Sequence, residues 1–341
     1  MYLKKNLIAL FTMLLFISVL YAESPKIGEF SGTKQTTMPS WFMNSFLDFS
    51  EDIESLANEN KRLILFVEQD SCPYCHAFVT KNLSHTKTKE KVQKHFGVID
   101  LNMFGDREVI DTDGEEFTEK EFAKKHNIQF TPTIIFFDEN KKQILRLNGY
   151  IDIPQFNLAL DYIKDKKETS LTFQEYILKN KIQNSALISE PGFFKELKNF
   201  MRTKDSKKIA IFFESSNCDN CEILHNKLLK DKTTRELLKK IDLVQVDINS
   251  KEAIVSPDKM VYNIKDWITI LNITHTPTII FFDEKANEIM RIEAMFKNFH
   301  FQSIVDYVVS DAYKTESEFQ RYLTKRADKI REKGIDVNIW D

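Results

Sequence analysis

Short apolar runs alternate with amphipathic segments along most of this chain. The runs are rich in β-branched and aromatic side chains, which is typical of buried strands, whereas the amphipathic segments have the apolar spacing of helices. The elements predicted for the first half are a helix at 46–60, a strand at 63–68, a helix at 73–81, a strand at 98–101, a helix at 117–125, strands at 133–137 and 143–147, and a closing helix at 156–163. Strands that alternate with helices predict an α/β fold with a central sheet.

The same pattern occurs a second time, so the chain consists of two similar halves. Residues 131–139 recur without change at 276–284, and the strand at 63–68 parallels residues 209–214. A repeat period near 146 residues is the size of a whole domain and is far too long for a solenoid repeat. The predicted organisation is a signal segment at 1–22, a tether at 23–41, domain 1 at 42–182, a linker at 183–191, domain 2 at 192–335 and a tail at 336–341.

Length, composition and charge agree with two domains of ordinary size. The 341 residues are 42% hydrophobic and 29% charged, which leaves enough apolar side chains for two cores. The formal net charge is −3, and the lysines are interleaved with acids. No nucleic-acid surface is therefore predicted. Residues 314–334 have a strongly charged helical pattern and are predicted to cap the second domain.

The N-terminus has the features of an export signal. Lys4 and Lys5 precede an apolar run at 7–20, and Ala22 offers a small residue for cleavage. An uncleaved membrane anchor is the alternative, although this run of 14 residues is shorter than the roughly 20 that span a bilayer. We expect an exported, periplasmic protein that contacts a membrane only through this segment, if the segment is retained. The polar residues 23–40 show no regular element and are expected to act as a tether.

All four cysteines of the chain lie in two Cys-x-x-Cys motifs, each at a predicted junction between a strand and a helix. The first sulfur of each motif, in Cys72 and Cys218, is expected to lie exposed at a helix N-terminus. Free backbone N–H groups and the helix dipole stabilise a thiolate there. Such a thiolate attacks a disulfide, and the second cysteine, Cys75 or Cys221, then resolves the mixed disulfide. The pattern predicts two catalytic cysteine pairs.

A Thr-Pro-Thr sequence follows each motif at a matched distance. The proline, Pro132 or Pro277, comes 60 positions after the first cysteine in one half and 59 positions after it in the other. A proline directly before a strand can hold a cis peptide bond, which leaves the backbone of the preceding Thr131 or Thr276 free to pair with an extended peptide. These two loops are the predicted substrate-binding loops.

With these motifs, both halves of the chain resemble the thioredoxin superfamily, over roughly residues 42–182 and 190–335. The resemblance implies two tandem thioredoxin-like folds, each with a central mixed sheet flanked by helices and a cis-proline loop beside the cysteine pair. The helix before the first strand and the long interval between motif and proline resemble exported thioredoxin-like proteins of the sulfur-oxidation type.

One departure from the thioredoxin pattern concerns the acid near the active site. Thioredoxins carry a buried Asp six positions before the first cysteine, where this chain has Phe66 and Phe212. Both halves instead have a Glu four positions before it, at Glu68 and Glu214. A Glu close to the resolving thiol could accept its proton, so a proton relay is predicted. The alternative is an exposed acid at the end of each strand.

The pattern favours a thiol–disulfide oxidoreductase, working as a reductase on exported protein or small thiol and disulfide substrates, with a separate redox partner. A disulfide oxidase or isomerase, a non-catalytic module that binds client peptides, and permanent structural disulfides are alternatives. No organic cofactor or metal is predicted, because the cysteines carry the electrons. A zinc site would need the two pairs to converge and leaves the Thr-Pro-Thr sequences unexplained. Asp219 disfavours the neighbouring Cys218 thiolate, so the second pair is predicted to be the more reducing.

Overall fold

The computed structural model describes residues 26–180, 187–188, 190, 192–195, 198–216 and 218–340. The predicted signal at 1–22 and most of the predicted linker at 183–191 lie outside the described residues. In the described part of the chain, no helix combines the length and the apolar character that crossing a membrane requires.

The first half is built around a four-stranded mixed sheet. Its elements, in chain order, are β1 (Phe30–Ser31), α1 (Phe49–Asn58), β2 (Arg62–Glu68), α2 (Pro73–Ala77), α3 (Thr86–His95), β3 (Phe96–Asn102), β4 (Glu108–Ile110), β5 (Glu116–Thr118), α4 (Glu119–Lys125), β6 (Thr133–Phe137), β7 (Gln143–Asn148), α5 (Ile153–Lys164) and α6 (Phe173–Asn180). The strand order is β3-β2-β6-β7, with β2 parallel to β3 and antiparallel to β6. Strand β2 is thus central in the sheet, and it ends at Glu68, shortly before the first cysteine motif.

The second half repeats this sheet. Its elements are β8 (Ile209–Glu214), α7 (Asp219–Asn226), α8 (Lys232–Leu238), β9 (Asp242–Asp247), β10 (Ala253–Val255), β11 (Val261–Asn263), α9 (Ile264–Ile270), β12 (Thr278–Phe282), β13 (Glu288–Ile292), α10 (Asn298–Val309), α11 (Phe319–Arg331) and β14 (Val337–Asn338). The order β9-β8-β12-β13 and the strand directions match those of the first sheet. Both halves have the predicted α/β architecture.

The hydrophobic core has a layer on each side of each sheet. In β2, Leu63 and Leu65 pack on one side, and Ile64 and Phe66 pack on the other, as the period-two alternation of a strand requires. The layer that holds Ile64 and Phe66 belongs to one apolar cluster that runs through both domains and includes Phe212 of β8. Continuous apolar packing therefore holds the two domains together.

Two features of the first half differ from the sequence-based prediction. The helix predicted at 73–81 is divided, because α2 ends at Ala77 and a π-helical turn, Phe78–Asn82, follows it. The buried amide of Asn82 donates to the carbonyl of Ile151 at 3.1 Å and anchors this turn to the rest of the domain. The antiparallel hairpin of β4 and β5 was not predicted; these strands have only three residues each, too few to show an alternating pattern.

The prediction that residues 23–40 contain no regular element is wrong. Strand β1 lies in this segment and pairs in parallel with β14, which lies in the predicted tail at 336–341. The backbone of Gly28 also exchanges two hydrogen bonds with Arg331, at 2.8 and 2.9 Å. The N-terminal segment is therefore fixed to the end of the second domain. A pairing of two-residue strands some 300 positions apart leaves no periodic signal in the sequence.

Helix α11 occupies most of the segment predicted to cap the second domain. It packs on α10, where Asp306 accepts hydrogen bonds from Tyr322 at 2.7 Å and Arg326 at 3.0 Å. Its first residue, Phe319, also packs on Phe130 of domain 1 with ring centroids 5.6 Å apart. The helix therefore covers parts of both domains rather than the second alone.

Candidate redox site

The first cysteine motif lies at the junction of β2 and α2. Cys72 is the N-cap of α2 and Pro73 occupies its first turn, where the missing N–H of proline is not needed. Cys72 and Cys75 form a disulfide, and the backbone N–H of Cys75 donates to the Cys72 sulfur at 3.0 Å. In the reduced pair, the same N–H is placed to stabilise a thiolate at Cys72.

The proline loop of the first domain lies against this disulfide. The Thr131–Pro132 peptide bond is cis, as the resemblance implied. The hydroxyl of Thr131 is 3.4 Å from the Cys72 sulfur, and the carbonyl oxygen of Thr131 is 3.8 Å from it. The structure thus brings together Cys72, Cys75, Thr131 and Pro132, which the sequence separates by about 60 positions.

The second motif has the same backbone arrangement with a different threonine contact. Cys218 is the N-cap of α7 and forms a disulfide with Cys221, whose N–H donates to the Cys218 sulfur at 3.0 Å. The Thr276–Pro277 bond is also cis. The Thr276 hydroxyl, however, is 3.0 Å from the Ser215 hydroxyl. The two sites are therefore alike in backbone and unlike in the groups around the sulfur.

The expectation that the attacking sulfurs lie exposed is wrong for both motifs. Cys72 is only 2% exposed and Cys218 only 5% exposed. Beside Cys72, residues of α10 and α11 in domain 2 line a cavity together with the motif. A motif viewed within its own domain does not reveal this neighbourhood.

Glu68 lies at the carboxyl end of β2, on the strand face that Ile64 and Phe66 turn toward the cluster containing Cys75. It is 9% exposed, so it is not the exposed acid of the alternative interpretation. The pKa of Glu68 is raised from 4.5 to about 7, chiefly by burial and also by the carboxylates of Asp70, Asp100 and Glu119, while Arg107 opposes them. A carboxyl group with this pKa exchanges protons at neutral pH.

Glu214, the counterpart in the second domain, is fully buried in a polar network. Its Oε2 is 2.8 Å from Nε2 of His225 and accepts from the Gln245 amide at 3.0 Å. Nδ1 of His225 is 2.8 Å from Glu190. Burial opposes the charge on His225, but the two carboxylates outweigh it and raise the pKa of the ring. The other oxygen of Glu214, Oε1, has no hydrogen-bond partner among the described residues.

His225 is a chemical difference between the two cysteine sites. His225 lies one helical turn after Cys221 on the same face of α7. The equivalent position in the first domain, four residues after Cys75, is Val79. The sequence showed His225 near the motif, but only the fold places it between two carboxylates.

The two cysteine pairs do not converge, since each is closed within its own motif. Over the residues that the structure describes, no group of three or more His, Cys, Asp or Glu side chains is arranged to hold a metal ion.

Comparison with known proteins agrees with this geometry. A family model for a thioredoxin-like domain matches residues 49–164 and again residues 194–309. The chain belongs to the thioredoxin-like domain family. It contains two tandem thioredoxin-like domains, as the sequence motifs predicted. No curated protein sequence matches the chain.

Several solved structures are similar to part of this chain at low identity. A thioredoxin-fold protein from Helicobacter pylori is 17% identical, with 41% of this chain and 94% of that chain covered and a TM-score of 0.37. A thioredoxin from Thermus thermophilus is 19% identical, with 33% and 81% covered and a TM-score of 0.27. The oxidised C-terminal domain of DsbD from Neisseria meningitidis is 12% identical, with 34% and 91% covered and a TM-score of 0.25.

Tyr74, between the two cysteines of the first thioredoxin-like domain, is held by the second domain. Its hydroxyl accepts a hydrogen bond from the backbone N–H of Lys297 at 2.9 Å and is 3.1 Å from Nδ1 of His300. Its ring packs edge-on against Phe296 and Trp340, with centroids 5.9 and 5.0 Å apart. The sequence did not predict this contact. The aromatic-rich stretch at 296–301 is the signal that could have suggested it.

Proposed function

We propose that the protein is a thiol–disulfide oxidoreductase that works as a reductase in the periplasm. The main support is that each domain has a Cys-x-x-Cys pair at the start of a helix and a cis Thr-Pro bond, and that in the first domain the Thr131 hydroxyl lies 3.4 Å from the Cys72 sulfur. The export signal predicted at 1–22 supports the location. Each pair is close enough to form a disulfide, the state that an electron donor would have to reduce in such a cycle.

The proposed exchange proceeds in two steps, in which two electrons pass from the cysteine pair to the substrate disulfide. The Cys72 thiolate attacks one sulfur of a substrate disulfide, a bond forms between these two sulfurs, and the other substrate sulfur leaves as a thiolate. The Cys75 thiol then loses its proton and attacks Cys72, which closes the protein disulfide and releases the second substrate thiolate. Two electrons pass from the protein to the substrate. A separate dithiol redox partner returns them. Cys218 and Cys221 act in the same way in the second domain.

In the proposed second step, Glu68 accepts the proton of Cys75. The raised pKa of Glu68 supports this role, because a base works best when its pKa is near the working pH. Glu68→Gln is expected to leave the first attack intact and to slow the release of the mixed disulfide by about 100-fold, the lower range of general-base contributions. In the second domain Glu214 takes this role, with His225 holding its carboxylate.

Kinetics with a small chromogenic disulfide test the proposed function. Pre-reduced wild-type protein, Cys72→Ser, Cys218→Ser and the double variant are mixed with 4,4′-dithiodipyridine, and release of the coloured thiol is followed. Each single variant is expected to lose one rapid phase, and the double variant to lose both. If the double variant reacts like the wild type, the proposal fails. If none reacts faster than a free alkyl thiol while unfolded clients still bind, the protein is a binding module.

The direction of electron flow needs a separate measurement. The reduction potential of each pair is obtained by equilibration with glutathione redox buffers and alkylation of the free thiols. A potential of about −270 mV is expected for a reductase, whereas an oxidase would have a potential of about −120 mV. Alkylation of the thiols directly in cells then shows the resting state of each pair.

A further inference from the structure

Cys72 of the first pair lines a cavity between the two domains. This cavity has a volume of about 410 Å³. Cys72 and Thr131 line it from the first domain, and Phe299, Leu323 and Ala327 line it from the second. A volume of this size lies within the range of about 300–1,000 Å³ that is typical of small-molecule sites. A substrate must therefore enter this space to meet the Cys72 sulfur.

The second domain also occupies the edge where an extended peptide would bind. The carbonyl of Gln129, directly before the proline loop, accepts a hydrogen bond from the side chain of Gln320 in α11 at 3.0 Å. The Phe130 ring packs on Phe296 at 5.0 Å and on Phe319 at 5.6 Å. A client polypeptide would have to replace these contacts, together with those of Tyr74, before it could lie along the loop.

The charges around the cavity restrict the substrate further. Among its described lining residues, the charged side chains are Asp70, Asp328 and Arg331. The guanidinium of Arg331 is already bonded to the Gly28 carbonyl at 2.9 Å and to Asp328 at 3.1 Å. Burial lowers the pKa of His300 to about 4, so this ring is neutral at physiological pH. The lining as a whole carries no excess of positive charge and does not favour an anion.

We propose that the Cys72–Cys75 pair reduces a small disulfide that is neutral or cationic and partly apolar, and that it does not act on extended polypeptides. This inference rests on the proposed function and adds the substrate class of the first site. The reaction is the two-step exchange already described: the substrate receives two electrons and leaves as two thiols, and Cys72 and Cys75 become a disulfide.

The test uses the full chain with Cys218→Ser and Cys221→Ser, so that only the first pair reacts. The pre-reduced protein is mixed with neutral 4,4′-dithiodipyridine, with the dianionic 5,5′-dithiobis(2-nitrobenzoate) and with insulin. Each rate is divided by the rate of dithiothreitol with the same disulfide. The normalised rate for the dianion is expected to be about tenfold lower than for the neutral compound. The normalised rate for insulin is expected to be about 100-fold lower. Domain 2 occupies the edge where the polypeptide would lie, so the insulin disulfide is misplaced relative to the Cys72 sulfur, and misplacement of reacting groups has effects of this size.

Two variants on α11 test whether the cavity is the site. Thr324 is exposed and lines the cavity, so Thr324→Trp is expected to fold and to lower the dithiodipyridine rate by about tenfold by filling the space. Lys329→Trp, at an exposed position of the same helix outside the lining, is the matched control and should react like the parent. Gln320→Ala, which removes the bond to Gln129, is expected to raise the insulin rate severalfold.

The outcomes separate this inference from the function on which it rests. If none of the three disulfides reacts, the proposed function fails for this pair. If insulin reacts with the same normalised rate as dithiodipyridine, the pair is a reductase but the substrate assignment is overturned. Equal rates for Thr324→Trp and Lys329→Trp would also overturn it, since the substrate would then reach Cys72 by another way.

Discussion

The charge of Glu68 is predicted to destabilise the folded protein at alkaline pH. The side chain is 9% exposed, and its pKa rises from 4.5 to about 7 in the folded state. Each pKa unit of difference between the folded and unfolded states corresponds to about 1.4 kcal/mol. An ionised Glu68 therefore costs the folded state about 3 kcal/mol at a pH well above 7.

The sign of the effect follows from the direction of this shift. Because the folded pKa is the higher one, the contribution of Glu68 to stability is fully present below its unfolded pKa of 4.5 and is lost as the pH rises through about 7. Gln has the same size and no charge. Glu68→Gln is therefore expected to match the wild type near pH 4.5 and to exceed its stability at pH 8.5 by up to about 3 kcal/mol.

Urea unfolding of the oxidised protein between pH 4.5 and 8.5 measures this difference, provided that the two proteins have the same dependence on urea concentration. Glu90, an exposed acid on α3, offers a matched control, since Glu90→Gln should follow the wild type at every pH. A difference between Glu68→Gln and wild type that stays constant with pH, or a wild type that becomes more stable above pH 7 than the variant, would refute the reasoning.

Three further predictions concern other charged positions. His225→Gln should destabilise the protein by about 3 kcal/mol near pH 6, because it leaves the carboxylate of Glu214 buried without its partner. Since the folded pKa of His225 is raised, the difference from wild type should shrink as the pH rises to 9, and a constant difference in urea unfolding would contradict this. Asp219→Asn should make the second pair less reducing by about 30 mV in glutathione buffers, because the charge beside Cys218 is removed; an unchanged potential would contradict it. Arg62→Met should lower the free energy of unfolding by about 3 kcal/mol, since Glu168 and the Ile163 carbonyl lose their buried guanidinium partner while Glu139 keeps Lys166, and a loss below 1 kcal/mol would show that water replaces it.

Most of the fold could be predicted from local pattern. The strands that form each sheet are apolar, β-branched and close to the predicted bounds, because a strand buried on both faces needs such side chains throughout. The short hairpin of β4 and β5 and the pairing of β1 with β14 could not be predicted, because strands of two or three residues carry no periodic signal.

The residues of the first cysteine site were predicted from the sequence, but the groups that surround them were not. Cys72, Cys75 and the cis bond before Pro132 lie together, because the motif follows β2 and the loop precedes β6, which lies antiparallel beside β2 in the sheet. The burial of Cys72 was not foreseen, and neither was the packing of Tyr74 against side chains more than 200 positions away, such as Phe296.

The sequence by itself determined that this protein has two α/β domains and that each carries a cysteine pair and a proline loop. These features depend on local sequence: the periodicity of strands, the residues that begin a helix, and a proline before a strand. Only the tertiary structure decided that domain 2 contacts Tyr74 of the first motif, that Glu68 and Glu214 are buried, and that His225 lies between two carboxylates. Burial and electrostatic environment depend on which distant surfaces meet, and that depends on the packing of the whole chain.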